Sequence, residues 1–340
     1  MKLMRTEDAV GQVLCHDITQ IIKGVTKDAV FRKGHIITEE DIPVLLSVGK
    51  DHIYIWENNE NMLHENDAAK ILYDMCANEH MTPSEIKEGK IELIAECDGL
   101  LKVDTERLNA VNALGEMMIA CRHGNFPVKK GDKIAGTRII PLVIEKEKME
   151  RAKKLPGEEP IFELIPFKKM KAAIVNTGNE VFYGRIKDTF TPVIIEKLKE
   201  YGAEVVGHVV SDDNHEHITA AIQKFLDEGV DMVLCTGGMS VDPDDRTPLA
   251  IKNTGAEIVT YGAPVLPGAM FLLSYYGEKK RPVIGLPGCV MYAKRTIFDL
   301  VLPRIVAGEI LKKADMDTLG EGGLCLNCPV CTFPNCGFGK

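Results

Sequence analysis

From about Phe167 to Gly308, short apolar runs alternate with amphipathic stretches, and no other feature limits the possible fold so strongly. The runs MKAAIVNTG, AEVVGHVV, VDMVLCT, AEIVTYG and RPVIGLPG have the length and composition of buried strands. Between them, TPVIIEKLKEYG, DNHEHITAAIQKFLDEG, DRTPLAIKNTG and CVMYAKRTIFDLVLPRIVAG carry apolar residues at helical spacing, and each closes on a glycine stop. Regular β/α alternation implies an α/β domain at 165–310 with an open, mostly parallel, doubly wound sheet. In such sheets ligands bind beyond the carboxyl ends of the strands. The loops after Thr177, Ser211, Thr236 and Pro287 are therefore expected to converge.

Those loops read NTGNE (176–180), SDD (211–213), TGGMSVDPDD (236–245) and LPGC (286–289). Gly237 and Gly238 tolerate any φ and let the backbone approach a ligand. Ser240 adds a hydroxyl, and the helix start beyond it offers free N–H groups to an anion such as phosphate. Carboxylates would repel phosphate directly, so they fit Mg²⁺ or the donors of a ring system such as a pterin. Plainer readings hold elsewhere. Asp213 and Glu216 have capping-box spacing, which puts His215 and His217 on a solvated first turn rather than on a metal. Cys289 follows LPG with no base beside it in sequence and reads as a packed thiol.

Taken together, TGNE, SDD with its helix, TGGMSVDPDD and PVIGLPG resemble the molybdopterin-binding domain shared by molybdenum-cofactor biosynthesis proteins. They stand in that family's order and at its spacing. GGMSVDPDD and the long N-terminal half look most like the molybdopterin molybdenumtransferase branch, whereas DRTP looks like the adenylyltransferase branch. The resemblance implies binding of molybdopterin or adenylyl-molybdopterin with Mg²⁺, and molybdate insertion. It gives catalytic roles to Glu180, Asp213 and Asp245. It gives ligand-binding roles to Thr177, Gly178, Asn179, Asp212, Thr236, Gly237, Gly238, Ser240, Asp242, Pro287 and Gly288. It also implies a homo-oligomer and a recipient molybdoenzyme. Three departures stand out: LPGCV where the family usually reads LPGNP, Asp242 where the transferase branch has Gly, and VLPGAM at Val265–Met270 where that branch reads KPGKP. Without those lysines, Arg185, Lys187 and Arg246 are the candidate cations for an oxyanion. A cofactor chaperone or sensor without insertase activity, and a nucleotide hydrolase similar to competence-damage proteins, are the alternatives.

The rest of the chain divides at lower contrast. Residues 1–60 read as a small α+β unit, with Thr38 capping an acidic helix start and KDHIYIWE forming a strand. Residues 61–150 open with a helix and continue as short apolar runs of a β-rich domain. EKEKMERAKKLPGEEP is the boundary before the α/β domain. The net charge of -9 speaks against a nucleic-acid surface. No run approaches the ~20 apolar residues of a membrane span. The N-terminal segment lacks an apolar signal core, so a cytoplasmic protein is expected.

There are ten cysteines. Six are scattered and read as core thiols: Cys15, Cys76, Cys97, Cys121, Cys235 and Cys289. The other four, Cys325, Cys328, Cys331 and Cys336, form a C-x2-C-x2-C-x4-C pattern within the tail at 320–340. DTLGEGG before them reads as a flexible linker. Four thiolates suit tetrahedral Zn²⁺ or an iron–sulfur cluster. The turn residues Pro334 and Gly337 favour zinc, and a tail of free thiols is the remaining reading.

Overall fold

A computed structural model describes residues 2–22, 26–55, 60–155 and 159–340. Contacts group the chain into two units. The first comprises residues 1–96, 103–122 and 131–163, and the second 97–102, 123–130 and 164–340. Segments 97–102 and 123–130, which sequence places with the β-rich region, thus group with the α/β unit.

Within the first unit, strands Met81–Pro83, Lys90–Ala95, Lys133–Ile139 and Met117–Cys121 form an antiparallel sheet in that order. Helix Glu65–Cys76 presents Ala68, Ala69, Leu72 and Cys76 as its buried stripe. Thr38 does not cap the helix start as expected: Glu40 holds the N-cap position of helix Asp41–Ser47 without a side-chain cap, and Thr38 donates its N–H and hydroxyl to Asp41 Oδ2 at 2.8 and 2.9 Å. Strand His52–Ile55 lies within KDHIYIWE, of which Trp56 and Glu57 fall outside the described residues. Of the boundary stretch, Lys146–Lys153 is helical, and residues 156–158 also fall outside the described residues.

The second unit is built on six strands: β1 (Lys171–Thr177), β2 (Glu204–Ser211), β3 (Met232–Thr236), β4 (Glu257–Tyr261), β5 (Leu272–Tyr276) and β6 (Arg281–Leu286). Their order is β2-β1-β3-β6-β5-β4. The pairs β1–β2, β1–β3 and β3–β6 are parallel, whereas β6–β5 and β5–β4 are antiparallel. The sheet expected to be mostly parallel therefore has three parallel pairs and two antiparallel ones. β5 was not expected at all, and the β/α alternation stops after helix Thr247–Asn253. The physical reason is local. The segment joining β4 to β5 contains Pro264 and Pro267, which exclude a crossover helix. The Gly277–Lys280 turn joining β5 to β6 is too short for anything but an antiparallel return.

The central strands are buried on both faces because alternate residues feed different cores. Ala172, Ile174, Met232, Leu234, Ile284 and Leu286 join one cluster, with α2 (Phe190–Lys199) and α5 (Ile297–Ala307). Ala173, Val175, Val233, Cys235 and Val283 join the other, with α3 (His215–Asp227) and α4 (Thr247–Asn253). Burying each such side chain stabilises the fold by about 1.5–3 kcal/mol. All of α5 is buried. It starts at a Thr296/Asp299 capping box and stops at Gly308, whose φ is 96°. Asp299, 2% exposed, also accepts from Lys197 at 2.6 and 2.8 Å and from Arg295 at 2.9 Å, so its buried charge is neutralised.

The stretch read as a flexible linker is instead held in place. Lys313–Asp317 is helical, Gly323 accepts from Leu266 N–H at 2.8 Å, and Gly339 N–H donates to Gly322 at 2.8 Å. Phe338, 4% exposed, belongs to the same core cluster as α5. Of the scattered cysteines, Cys15, Cys76 and Cys235 are buried as expected, Cys97 and Cys289 are half-buried, and Cys121 is exposed.

Candidate functional site

A cleft of about 550 Å³, ample for a small molecule, opens at the carboxyl ends of β1, β3 and β6. Of the residues singled out in the sequence, Thr177, Glu180, Gly237, Gly238, Ser240, Asp242, Asp245, Pro287 and Gly288 line it. Gly178, Asn179, Asp212, Asp213 and Thr236 are not on its wall. Three of the four predicted loops meet there, and the SDD loop stands behind them.

Thr247, the first residue of α4 and fully buried, organises the glycine loop. Its hydroxyl donates to Gly237 O at 2.8 Å and lies 3.1 Å from the Thr177 hydroxyl, and its N–H donates to Gly238 O at 3.1 Å. The first helical N–H is thus spent on the loop itself rather than left free for an anion. Gly237 and Gly238 have φ of 86° and 54°. A Cβ on Gly237 would sit 2.0 Å from Thr177 O, and one on Gly238 would sit 2.9 Å from Thr247 Oγ1. Both glycines are needed for the fold as well as for access, so Gly238→Val, which blocks a ligand, also disturbs the loop. Further along, Tyr261 Oη donates to Met239 O at 2.9 Å, and Asp245 Oδ2 accepts from Asp242 N at 3.3 Å. These bonds pin the acidic turn at the rim.

Asp213 does not cap α3, although its spacing to Glu216 suggests that it would. Asn214, not Asp213, caps α3, accepting from Glu216 N–H at 2.8 Å. Asp213 Oδ2 accepts from Asn179 N–H at 2.9 Å, which ties the SDD loop to the TGNE loop. Burial pushes its carboxyl above the usual range, and Glu180, Asp244 and Asp212 add to the rise against the Asn179 hydrogen bond. Asp212 lies 3.0 Å from His217 Nδ1. His217 is 64% exposed on its side chain, in keeping with a solvated first turn. Gly178 packs under Glu180, whose carboxylate would be 2.8 Å from an added Cβ.

Two polar side chains at the strand ends are buried. Among the described residues, Asn176, 1% exposed and lining the cleft, makes no hydrogen bond of strict geometry, and its amide interacts only with the Asp188 carboxyl. Its register partner Thr236, fully buried, has an orphaned hydroxyl. Orphaned buried groups are rare and costly. Asp188 lies nearby. Burial would raise its carboxyl, but hydrogen bonds from Thr191, the Asn176 side chain and Phe190 outweigh that and hold it low.

Charge along the wall is unequal: Glu180, Asp242 and Asp245 face a single basic side chain, Lys187. Arg185 instead lies 5.3 Å from the Tyr183 ring centroid, and neither it nor Arg246 lines the cleft. Ala269 and Met270 bring the neutral VLPGAM loop to the wall. Cys289 also lines the cleft, where burial raises its thiol and keeps it protonated. Among the described residues no three His, Cys, Asp or Glu side chains converge to hold a metal ion.

Sequence reading missed Asn176, Thr247 and Met239. Asn176 sits inside an apolar strand, where its polarity was a readable anomaly. Thr247 precedes Pro248 at a helix start, the position where a hydroxyl anchors a loop. Met239 gave no signal.

The fold and the strand-end cleft define a ligand-binding α/β domain. Residues 173–307 match the family model "Probable molybdopterin binding domain", and residues 3–57 match a domain of unknown function. The chain therefore carries a domain of the molybdopterin-binding family. A molybdopterin molybdenumtransferase of Synechococcus elongatus is 28% identical over 163 residues, 45% of this chain and 38% of the relative. A CinA-like protein of Mycobacterium avium is 34% identical over 90 residues, 26% of this chain and 21% of the relative. Both matches thus cover well under half of the relative. The crystal structure of a molybdopterin biosynthesis enzyme, MoaB, from Thermus thermophilus aligns with 42% of this chain and 99% of its own at 23% identity and a TM-score of 0.34. No helix among the described residues is long and apolar enough to cross a membrane.

Proposed function

We propose that the cleft binds molybdopterin or its adenylylated form and that the protein acts in molybdenum-cofactor biosynthesis. The carrying observation is the convergence of Thr177, Gly237, Gly238, Ser240 and Gly288 on one strand-end cleft, with the Asn176 amide at its wall. A pterin ring offers donors and acceptors to such an amide. Mg²⁺ would be held by one or two of Glu180, Asp242 and Asp245 together with ligand phosphate, which is how Mg²⁺ is usually bound. Lys187 would meet the anionic group. Insertion of molybdate, with this chain as a homo-oligomer delivering to a recipient molybdoenzyme, is the activity proposed for the loaded site.

A second reading is favoured by the loop at Ala269 and Met270, which brings no cation to the wall. On that reading the protein carries or senses the cofactor without inserting metal. Adenylyl-molybdopterin, molybdate and Mg²⁺ presented to the purified protein separate the two. AMP release with a molybdenum-loaded product supports insertion, and tight binding without turnover supports carriage. Failure to bind any pterin, with release of product from other nucleotides, would overturn both.

A further inference from the structure

The tail cysteines take no part in the cleft, yet the fold brings them together. Cys325, Cys328, Cys331 and Cys336 all line one cavity of about 280 Å³, separate from the pterin cleft. Its remaining wall is largely apolar and includes Leu324, Phe333 and Phe338. The tail reaches this position because Cys325 N–H donates to Leu266 O at 2.8 Å, while Phe333, Cys325 and Cys336 pack against the main core. Lys294 Nζ, also on the wall, donates to the carbonyls of Cys328 and Pro329 at 3.1 and 2.7 Å and closes the loop between the second and third cysteines.

We propose that these four cysteines ligate a four-iron, four-sulfide cluster. The spacing favours a cluster over a single ion. All four thiols border the same cavity, and a cluster takes one thiolate at each of its irons. In two-cluster ferredoxins the cysteine after a C-x2-C-x2-C run serves another cluster. Here the turn at Phe333 and Pro334 returns Cys336 to the cavity of the first three, so a single cluster has its full ligand set. Lys294 and Arg295 also stand on the cavity wall. Arg295 stacks 4.9 Å from the Phe333 ring centroid while paired with Glu200 and Asp299, so its orientation is fixed.

The cavity also shares structure with the cleft. Leu266, which pairs with Leu324 of the tail, and Ala269 and Met270, which line the cleft, belong to one short loop. Met291 lines the cleft three residues before Lys294 lines the cavity. A cluster bound here would therefore be next to the pterin site through two loops.

The full-length protein, purified without oxygen and reconstituted with ferrous iron and sulfide, decides the matter. About four iron and four sulfide per chain are expected, with a brown colour and a paramagnetic signal on reduction with dithionite. Cys331→Ser and Cys336→Ser should each lose at least half of the iron. Cys121→Ser, in the other unit, should retain all of it. Circular dichroism and the thermal transition of each variant show whether iron loss reflects a missing ligand or a failed fold. One zinc per chain without iron would overturn the proposal. So would absence of iron with all four thiols freely alkylated in the native protein, or full iron retention in both folded variants.

Discussion

The strand-end cleft and the cysteine cavity lie in the same unit and are built in opposite ways. The cleft is set by the sheet: β1, β3 and β6 end side by side, and Thr247 locks the glycine loop against them. Its shape is supported by two cores. The cavity is made of chain with almost no regular structure, held by a few backbone bonds to Leu266 and by two aromatic rings. One site carries three carboxylates on its wall; the other is apolar and thiol-rich. The difference teaches which site depends on its ligand for stability. A preformed cradle selects a ligand, whereas a loop-built thiol cavity gains rigidity from what it binds.

The sharpest way to break this comparison is Gly237→Val. The added Cβ would meet Thr177 O at 2.0 Å with φ at 86°, so a loss of roughly 3 kcal/mol or more is expected. Denaturant unfolding should show it, and pterin binding should vanish while iron content stays at the wild-type level. Phe338→Ala attacks the other region. Removing a core aromatic costs about 3–5 kcal/mol, here felt first as tail release. Limited proteolysis should clip the tail of this variant while the cleft still binds its ligand. Loss of pterin binding in the Phe338 variant would show that the two regions are not separable.

Thr247→Val keeps the shape but removes the hydroxyl that satisfies Gly237 O, and about 1–3 kcal/mol should be lost. Lys187→Ala leaves stability unchanged, because that side chain is exposed and forms no ion pair among the described residues. It should weaken the anionic ligand about tenfold, or about 1.4 kcal/mol, by calorimetric titration. The smallest effect concerns pH. Asp213 has its carboxyl raised in the fold, chiefly by burial. A raised carboxyl contributes stability when protonated and loses it as pH climbs from the ordinary Asp value of 3.8 through the higher folded one. Asp213→Asn should flatten that part of the stability curve while preserving the contact to Asn179 N–H.

Much of the cleft was legible in the sequence, because backbone demands leave marks. Gly237 and Gly238 read as a close-approach loop, and the strand-end rule placed them beside Thr177 and Gly288. Asp213 was misread because capping-box spacing cannot distinguish it from Asn214, and a neutral amide one residue on took the cap. β5 was missed because LLSYY has no helix after it to complete the β/α pattern that organised the reading. Lys187 was one of three cations open by loop position, and only tertiary placement separates it from Arg185 and Arg246. The tail was read as a flexible linker plus a staple. Its docking depends on Phe333, Phe338 and the Leu266 backbone, contacts distant in sequence that no local pattern announces.

Native mass spectrometry of the full-length protein titrated with molybdopterin and Mg²⁺ tests the central claim, that the strand-end cleft is a pterin site. The account predicts a saturable complex for the wild-type protein, weakened about tenfold by Lys187→Ala and absent in Gly237→Val. No complex with the wild-type protein, or equal affinity in all three, would contradict it.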